Sequence, residues 1–300
     1  MELIATNGRG DIATVFVART DNGKLLEFVE SFEPSIPIHK KWVTILSVMH
    51  GCPVGCLMCD AGRNFGGNLS KDDMLAQVDY VVERRFPDRR IPTEKWKIQF
   101  ARMGEPSFNN AVLEVLEALP HRYDAPGLIP SISTIAPAGR DKFFELLLKL
   151  KNRYYSGARF QLQFSIHTTD FEKRNMLIPS KKLSLEKIGK YSNNFFEDGD
   201  RKITLNFAMI KGYPIDPEII DQHFSPEKVL IKITPLNPTE KAHANQLASA
   251  LDPENEESIQ DLVNRFRLFD FDVIVSIGNL QENQIRSNCG QYVDATGKIS

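Results

Sequence analysis

No stretch of this 300-residue chain approaches the ~20 consecutive apolar residues that a membrane-spanning helix needs, so an integral helical membrane protein is not expected. The first residues, Met1 to Asn7, lack the basic-then-apolar order of a secretory signal. Cysteine is scarce, with four in all, which argues against a disulfide framework and for a reducing, cytoplasmic setting. Neither sign of charge is in excess: 37 Lys and Arg face 39 Asp and Glu, a net charge of −2. That balance is not the global footprint of a nucleic-acid binder. There is no internal repeat and no low-complexity tract. What remains is an ordinary globular composition, 42% hydrophobic and 25% charged, long enough to bury a large core.

Residues 13–18 and 25–29 alternate in short runs around Asp21-Asn22-Gly23, a hairpin pattern with turn chemistry at its centre. Pro34 and Pro37 then break the chain. Beyond them, strand-like runs at 42–48, 96–101, 129–133, 160–166, 202–210, 229–234 and 272–276 alternate with amphipathic stretches. The predicted helices are 71–85, opened by Ser70 as a cap, then 110–119, 140–150, 185–191 and 256–269. Residues 236–257 are polar, contain two prolines and read as a surface loop with room for a short helix. Strands alternating with helices predict an α/β fold with a parallel sheet. The unusual polar motifs fall just after strands, which in a parallel barrel is the rim where active sites are built.

The informative run is His50-Gly51-Cys52-Pro53-Val54-Gly55-Cys56-Leu57-Met58-Cys59-Asp60. Three thiolates in this C-x3-C-x2-C spacing can hold three irons of a cubane cluster and leave the fourth iron open. The rival is a zinc site. Structural zinc takes four protein ligands, usually as two short pairs. Here the fourth cysteine, Cys289, is distant, and His50 would have to double back to complete the set. The basic stretch Arg84, Arg85, Arg89, Arg90, Lys95 and Lys97 reads as a solvated helix end and loop, with an RNA-contacting patch as its rival.

The cysteine spacing resembles the radical-SAM superfamily. Met103-Gly104-Glu105-Pro106, Ser133-Thr134, Ser165-Ile166-His167, Arg174 with Pro179, Pro235-Leu236-Asn237-Pro238 and Cys289-Gly290-Gln291 follow it in order. From about Glu27 to Gln291 the chain resembles the RlmN/Cfr family, radical-SAM methyltransferases that modify an adenine ring carbon in ribosomal or transfer RNA. The resemblance implies a partial (β/α)6 barrel over residues 41–300 with a small N-terminal β-hairpin extension over residues 1–40. It implies that Cys52, Cys56 and Cys59 ligate a 4Fe-4S cluster on which S-adenosyl-L-methionine is reductively cleaved. A small protein such as flavodoxin or ferredoxin would supply the electron. Gly104 and Glu105 would hold the methionine part of the cofactor, with Ser133, Ser165, His167 and Asn237 as further contacts. Cys289 matches the methyl-carrying cysteine. Glu27 aligns with a glutamate assigned there as proton acceptor, although its own pattern reads as a solvent-facing strand residue.

The chain departs from that family in places that bear on substrate. The family's second catalytic cysteine, which resolves the covalent adduct, is Ile45 here. Little precedes the hairpin where the family has an RNA-binding region, and no basic tail follows Cys289-Gly290-Gln291. Both differences remove phosphate-contacting surface, the main source of RNA affinity. The expectation is therefore methyl or methylene transfer through Cys289 to an sp2 carbon of a small molecule, nucleotide or peptide. RNA methylation resolved by an external or partner thiol is the second reading, and a non-catalytic metal- or cluster-bound protein is the third.

Overall fold

The computed structural model describes residues 1–62, 65–251, 257–278, 282 and 285–287. One ten-stranded sheet organises them. Its first part is antiparallel: β1 (Glu2–Arg9), β2 (Ala13–Arg19), β3 (Leu25–Ser31) and β4 (Trp42–Leu46) pair in sequence order. The short strands β5 (Met49–His50) and β6 (Gly67–Asn68) pair only with each other and bracket the cysteine loop. From β4 onward the main sheet is parallel, running through β7 (Trp96–Phe100), β8 (Leu128–Thr134), β9 (Gln161–Ser165), β10 (Ile203–Met209), β11 (Val229–Pro235) and β12 (Asp272–Val275).

The helices are α1 (Lys71–Arg85), α2 (Ala111–Arg122), α3 (Asp141–Tyr154), α4 (Phe171–Leu177), α5 (Leu185–Phe195), α6 (Pro217–Asp221), α7 (Glu240–Ala244) and α8 (Glu257–Arg267). α1 starts where the sequence predicts. Ser70 and Asp73 form a reciprocal capping box that satisfies two otherwise orphan backbone donors. No helix among the described residues is long and apolar enough to cross a membrane.

Strand alternation builds the layers. On β7, Trp96, Ile98 and Phe100 point into the helix-covered core, and Lys97 and Gln99 point the other way. The same period of two puts Leu162 and Phe164 in the core and Gln163 opposite them on β9. A parallel strand buried on both faces reads as a nearly continuous apolar run. These strands do not, because their second face lines a polar lumen. Residues from β4 to β11, with Ser276 just past β12, line one cavity, so the sheet curves around it. Trp42 and Trp96 stack at 5.3 Å across β4 and β7. Their indole N–H groups donate to Glu30 (2.9 Å) and Thr44 (3.2 Å), so neither buried donor is lost.

The predicted hairpin is β2–β3, and the predicted short helix within 236–257 is α7. β1 carried no sequence signal: it is an edge strand with mostly exposed side chains, so no core-facing alternation is imposed on it. β12 gives the parallel part a seventh strand among the described residues.

Candidate functional site

The cysteine loop leaves β5 and turns at Gly51 and Gly55, whose φ angles of 75° and 72° lie in the left-handed region that glycine adopts freely. Segments from far along the chain hold its backbone. Leu57 N donates to Leu177 O (2.9 Å), the Thr239 hydroxyl to Met58 O (2.9 Å), and Lys241 Nζ to Gly55 O (3.1 Å). In return the Asp60 carboxylate accepts from the amides of Glu240 (3.2 Å) and Lys241 (2.8 Å), at the start of α7. The loop's shape is thus set by tertiary contacts.

Cys52, Cys56 and Cys59 are partly buried cysteines on the wall of one cavity of about 420 Å³. Burial first, and the neighbouring thiol Cys59 after it, push the Cys52 thiol up to about 12, and burial pushes Cys56 up as well. Such thiols become thiolates when a metal supplies the compensating charge. Among the described residues no three Cys, His, Asp or Glu side chains converge on a single ion. Three cysteines on one wall are the donor set of a group that takes one metal per thiolate, whereas tetrahedral structural zinc takes four protein ligands. His50 does not complete a zinc set. Its Nδ1 donates to Leu25 O at 2.9 Å, and it is not on the cavity wall.

Gly104, Glu105, Ser133, Ser165, His167 and Asn237 line the same cavity, so the fold brings all six together with the three cysteines. Gly104 has a φ of 103°, and a Cβ there would stand 2.6 Å from Met49 Cγ and 2.9 Å from Val48 Cγ2; only glycine fits. The Glu105 carboxylate is buried and tied in place. Oε1 accepts from Thr134 Oγ1 (2.6 Å), Ser107 Oγ (2.8 Å) and Ser107 N (3.1 Å), and Oε2 from Ile135 N (2.9 Å). Desolvation by burial raises its pKa. Oε2, with one donor, keeps capacity for another.

His167 takes an unusual backbone position, with φ of 65°. Its Nδ1 accepts from Ala208 N at 3.1 Å, so the neutral ring carries its proton on Nε2. Burial, with Arg174 second, holds it down to about 3. The Ser133 hydroxyl accepts from Gln163 Nε2 (3.2 Å).

Glu27 is not on the cavity wall and is not solvent-facing, as its strand pattern suggested; it is 0% exposed. It pairs with Arg102, Nε to Oε1 at 2.7 Å. Arg102 itself lines the cavity and donates to the carbonyls of Arg286 (2.6 Å) and Ser287 (2.9 Å). The strand pattern missed this because both covering groups come from elsewhere in the chain. Cys289 lies outside the described residues. Ile45, at the position of the family's second cysteine, lines the cavity.

The basic stretch does not form one surface. Arg85 pairs with Glu30 and lies over the Phe32 ring, Arg84 lies over Phe16, and Arg89 pairs with Glu83 (2.7 Å). Lys97 faces the lumen. Sequence reading also passed over Arg102, Asp60 and the polar lumen residues; the last had a signal, the period-two polar positions inside strands such as Trp96-Lys97-Ile98-Gln99-Phe100.

No protein-family model matches the chain. It is 29% identical over 180 residues to a probable dual-specificity RNA methyltransferase RlmN of Chlorobium phaeobacteroides, a match covering 59% of this chain and 48% of that protein. The chain thus spans about half the length of that relative. It is 26% identical over 305 residues to the dual-specificity RNA methyltransferase RlmN of Halorhodospira halophila, covering 97% and 76%. A solved radical SAM methyltransferase from Sphaerobacter thermophilus shares the fold with a TM-score of 0.73 at 20% identity, over 96% of this chain and 80% of that one. Sequence likeness to proteins named RlmN and fold likeness to a radical SAM methyltransferase together support the resemblance of this chain to the RlmN/Cfr-like radical-SAM family.

Proposed function

We propose that this protein is a radical-SAM methyltransferase-like enzyme acting on a small molecule, nucleotide or peptide that enters the lumen. The observation that carries the reading is the shared cavity, with Cys52, Cys56 and Cys59 on the same wall as Gly104, Glu105, Ser133, Ser165, His167 and Asn237. A 4Fe-4S cluster on the three cysteines, with S-adenosyl-L-methionine bound, supplies reductive cleavage and radical chemistry.

The chain's own residues do the holding. Gly104 lets the backbone approach the cofactor closely, and Glu105 Oε2 accepts from its ammonium. His167 donates through Nε2–H while remaining neutral across the physiological range. The hydroxyls of Ser133 and Ser165 and the amide of Asn237 supply the remaining polar contacts. Cys289 is the methyl-carrying thiol of this reading, and Glu27 acts through Arg102 rather than on the substrate. With Ile45 on the lumen wall, release from any thioether adduct falls to an external thiol. A flavodoxin- or ferredoxin-type protein in a reducing cytoplasm provides the electron.

RNA as substrate is favoured by the names of the sequence relatives. It is opposed by the dispersal of the basic stretch, whose Arg84, Arg85 and Arg89 are tied to acids or aromatic rings.

The test is anaerobic reconstitution with iron and sulfide, followed by reduction in the presence of S-adenosyl-L-methionine. The expected result is 5′-deoxyadenosine from the wild type and none from Cys56→Ala; undiminished formation in that variant would sink the cluster assignment. Incubation with S-adenosyl-L-methionine alone is expected to make the Cys289 peptide heavier by one methylene. Salt-sensitive RNA binding lost on changing Arg90 would instead favour the RNA reading.

A further inference from the structure

Arg174 stands out in the sequence by its spacing to Pro179, yet it is not on the cavity wall and the proposed function gives it no task. It lies on α4 and is 6% exposed. Its Nη1 donates to Leu183 O at 2.9 Å. Its Nε and Nη2 are shielded from solvent and have no hydrogen-bond partner among the described residues. Burial alone pulls the guanidinium down to about 10; no described carboxylate acts on it. Lys182 is in a similar position. Its Nζ donates to Asn175 Oδ1 (2.8 Å), Ile178 O (2.8 Å) and Ser180 O (3.3 Å), all of them neutral acceptors. Burying a cation without a counter-charge is unfavourable, so the pair calls for an anion.

The segment that carries both cations backs the cysteine loop. Leu177 O, at the end of α4, accepts from Leu57 N (2.9 Å), and a Cβ on Gly55 would stand 3.9 Å from Pro179 Cγ. Leu177 and Ile178 share an apolar cluster with Val54, against which Cys52 and Cys56 pack. The charges here act on one another. Arg174 depresses both His167, on the lumen wall, and Lys182. After burial and Arg174, the remaining group that acts on Lys182 is Cys56, whose thiolate pushes the other way. No described carboxylate enters that balance. The thiolates of the cysteine loop are thus the negative charge that the fold sets against Arg174 and Lys182.

We propose that Arg174 and Lys182 are the built-in counter-charge of the cysteine loop, and that they set how readily a cluster held by Cys52, Cys56 and Cys59 takes up its electron. The inference rests on the proposed function and adds to it a control on the electron step that no cavity residue was assigned. Three thiolates outweigh the positive charge of an oxidised cubane core, and reduction by one electron from the donor adds one further negative charge. Cations buried behind the loop favour that added charge, since a cluster's potential follows its net charge and surroundings. The arrangement that is unfavourable in the empty loop becomes favourable once the thiolates have formed. Both residues act through the cluster and touch no reacting atom, so their role is one of positioning charge.

The test uses the full chain, reconstituted anaerobically with iron and sulfide, in a spectroscopic redox titration without S-adenosyl-L-methionine. Arg174→Met is expected to lower the ratio of reduced to oxidised cluster at a given potential by about tenfold, a downward shift of about 59 mV for one electron. Arg174→Lys keeps the charge and is expected to restore most of that shift. Lys182→Met is expected to move the potential the same way by less, and it carries the test if Arg174→Met holds no cluster. Melting of the metal-free proteins is the second readout. Arg174 has no described counter-charge there, so metal-free Arg174→Met is expected to melt no lower than wild type. A potential unmoved by both Met variants, a potential lowered equally by Arg174→Lys, or metal-free Arg174→Met melting well below wild type overturns the proposal. An unmoved potential with weakened S-adenosyl-L-methionine binding also overturns it, and assigns the charge to the cofactor's carboxylate. Failure of the underlying reading looks different: wild-type protein that assembles no iron–sulfur chromophore at all.

Discussion

The Glu27–Arg102 pair offers the sharpest test of how this barrel is closed. Both side chains are almost wholly shielded, at 0% and 2% exposure, so solvent screening does little to weaken the contact. Glu27→Gln removes the carboxylate but leaves the guanidinium buried, with the carbonyls of Arg286 and Ser287 among its acceptors. Breaking one side of a buried pair typically costs about 3–5 kcal/mol. The carbonyl acceptors that Arg102 keeps put this case at the lower end, about 3 kcal/mol. In a chain of this size that lowers the thermal midpoint by about 5–10 °C. Arg102→Met is expected to cost at least as much, because it breaks the same pair and also releases the carbonyls of residues 286 and 287. The double variant should recover about 2 kcal/mol relative to the sum of the singles. Anaerobic urea titration of the four proteins measures the cycle, and hydrogen exchange at 285–287 reports the tether. A Glu27→Gln protein within about 1 kcal/mol of wild type, or strict additivity, would refute the argument.

Gly104→Ala is expected to destabilise the fold by about 2–4 kcal/mol, from the positive φ and the clash with Met49 together, and to abolish S-adenosyl-L-methionine binding; melting and calorimetry read both. His167 binds its proton less readily folded than unfolded. Its contribution to stability is therefore complete above pH 6.5 and is lost as pH falls toward 3. Cluster-free protein should show that slope between these values, and His167→Gln should flatten it; equal slopes would count against a buried neutral ring. Ile45→Cys should fold with a loss of about 1 kcal/mol and present a thiol that iodoacetamide alkylates in the native protein, located by peptide mass. An unreactive Cys at 45 would remove Ile45 from the lumen wall.

The sequence and the structure agree most closely where the governing physics is local. The cysteine spacing, the Ser70 cap and the period-two strands need only neighbouring residues to be read, and each appears where the pattern put it. Gly104 was legible through the family resemblance, and its close approach to Met49 agrees with that role. Glu27 was not. On β3 it looks like an outward polar residue, and its burial depends on Arg102 and on the segment at 286–287. The backbone turn at His167 follows from β9 docking on β10: the amides of Ile166 and His167 both donate to Asn206 O. Nothing in Ser165-Ile166-His167 states that partner. Lys97 was grouped with a solvated basic stretch, and that it faces the lumen needed the curvature of the sheet.

The clasp on the cysteine loop bears on when the site can exist. Asp60 is held by amides 180 and 181 residues further on, and Met58 O by a hydroxyl 181 residues away. A chain is made from its N-terminus, so the three cysteines leave the ribosome long before Thr239, Glu240 and Lys241 do. Until those residues arrive, the carbonyls of Gly55 and Met58 lack these donors and the loop lacks its fixed spacing. The cysteines are among the earlier residues to be synthesised and among the last to be seated, so under the proposed function metal loading would follow translation of the barrel rather than guide it.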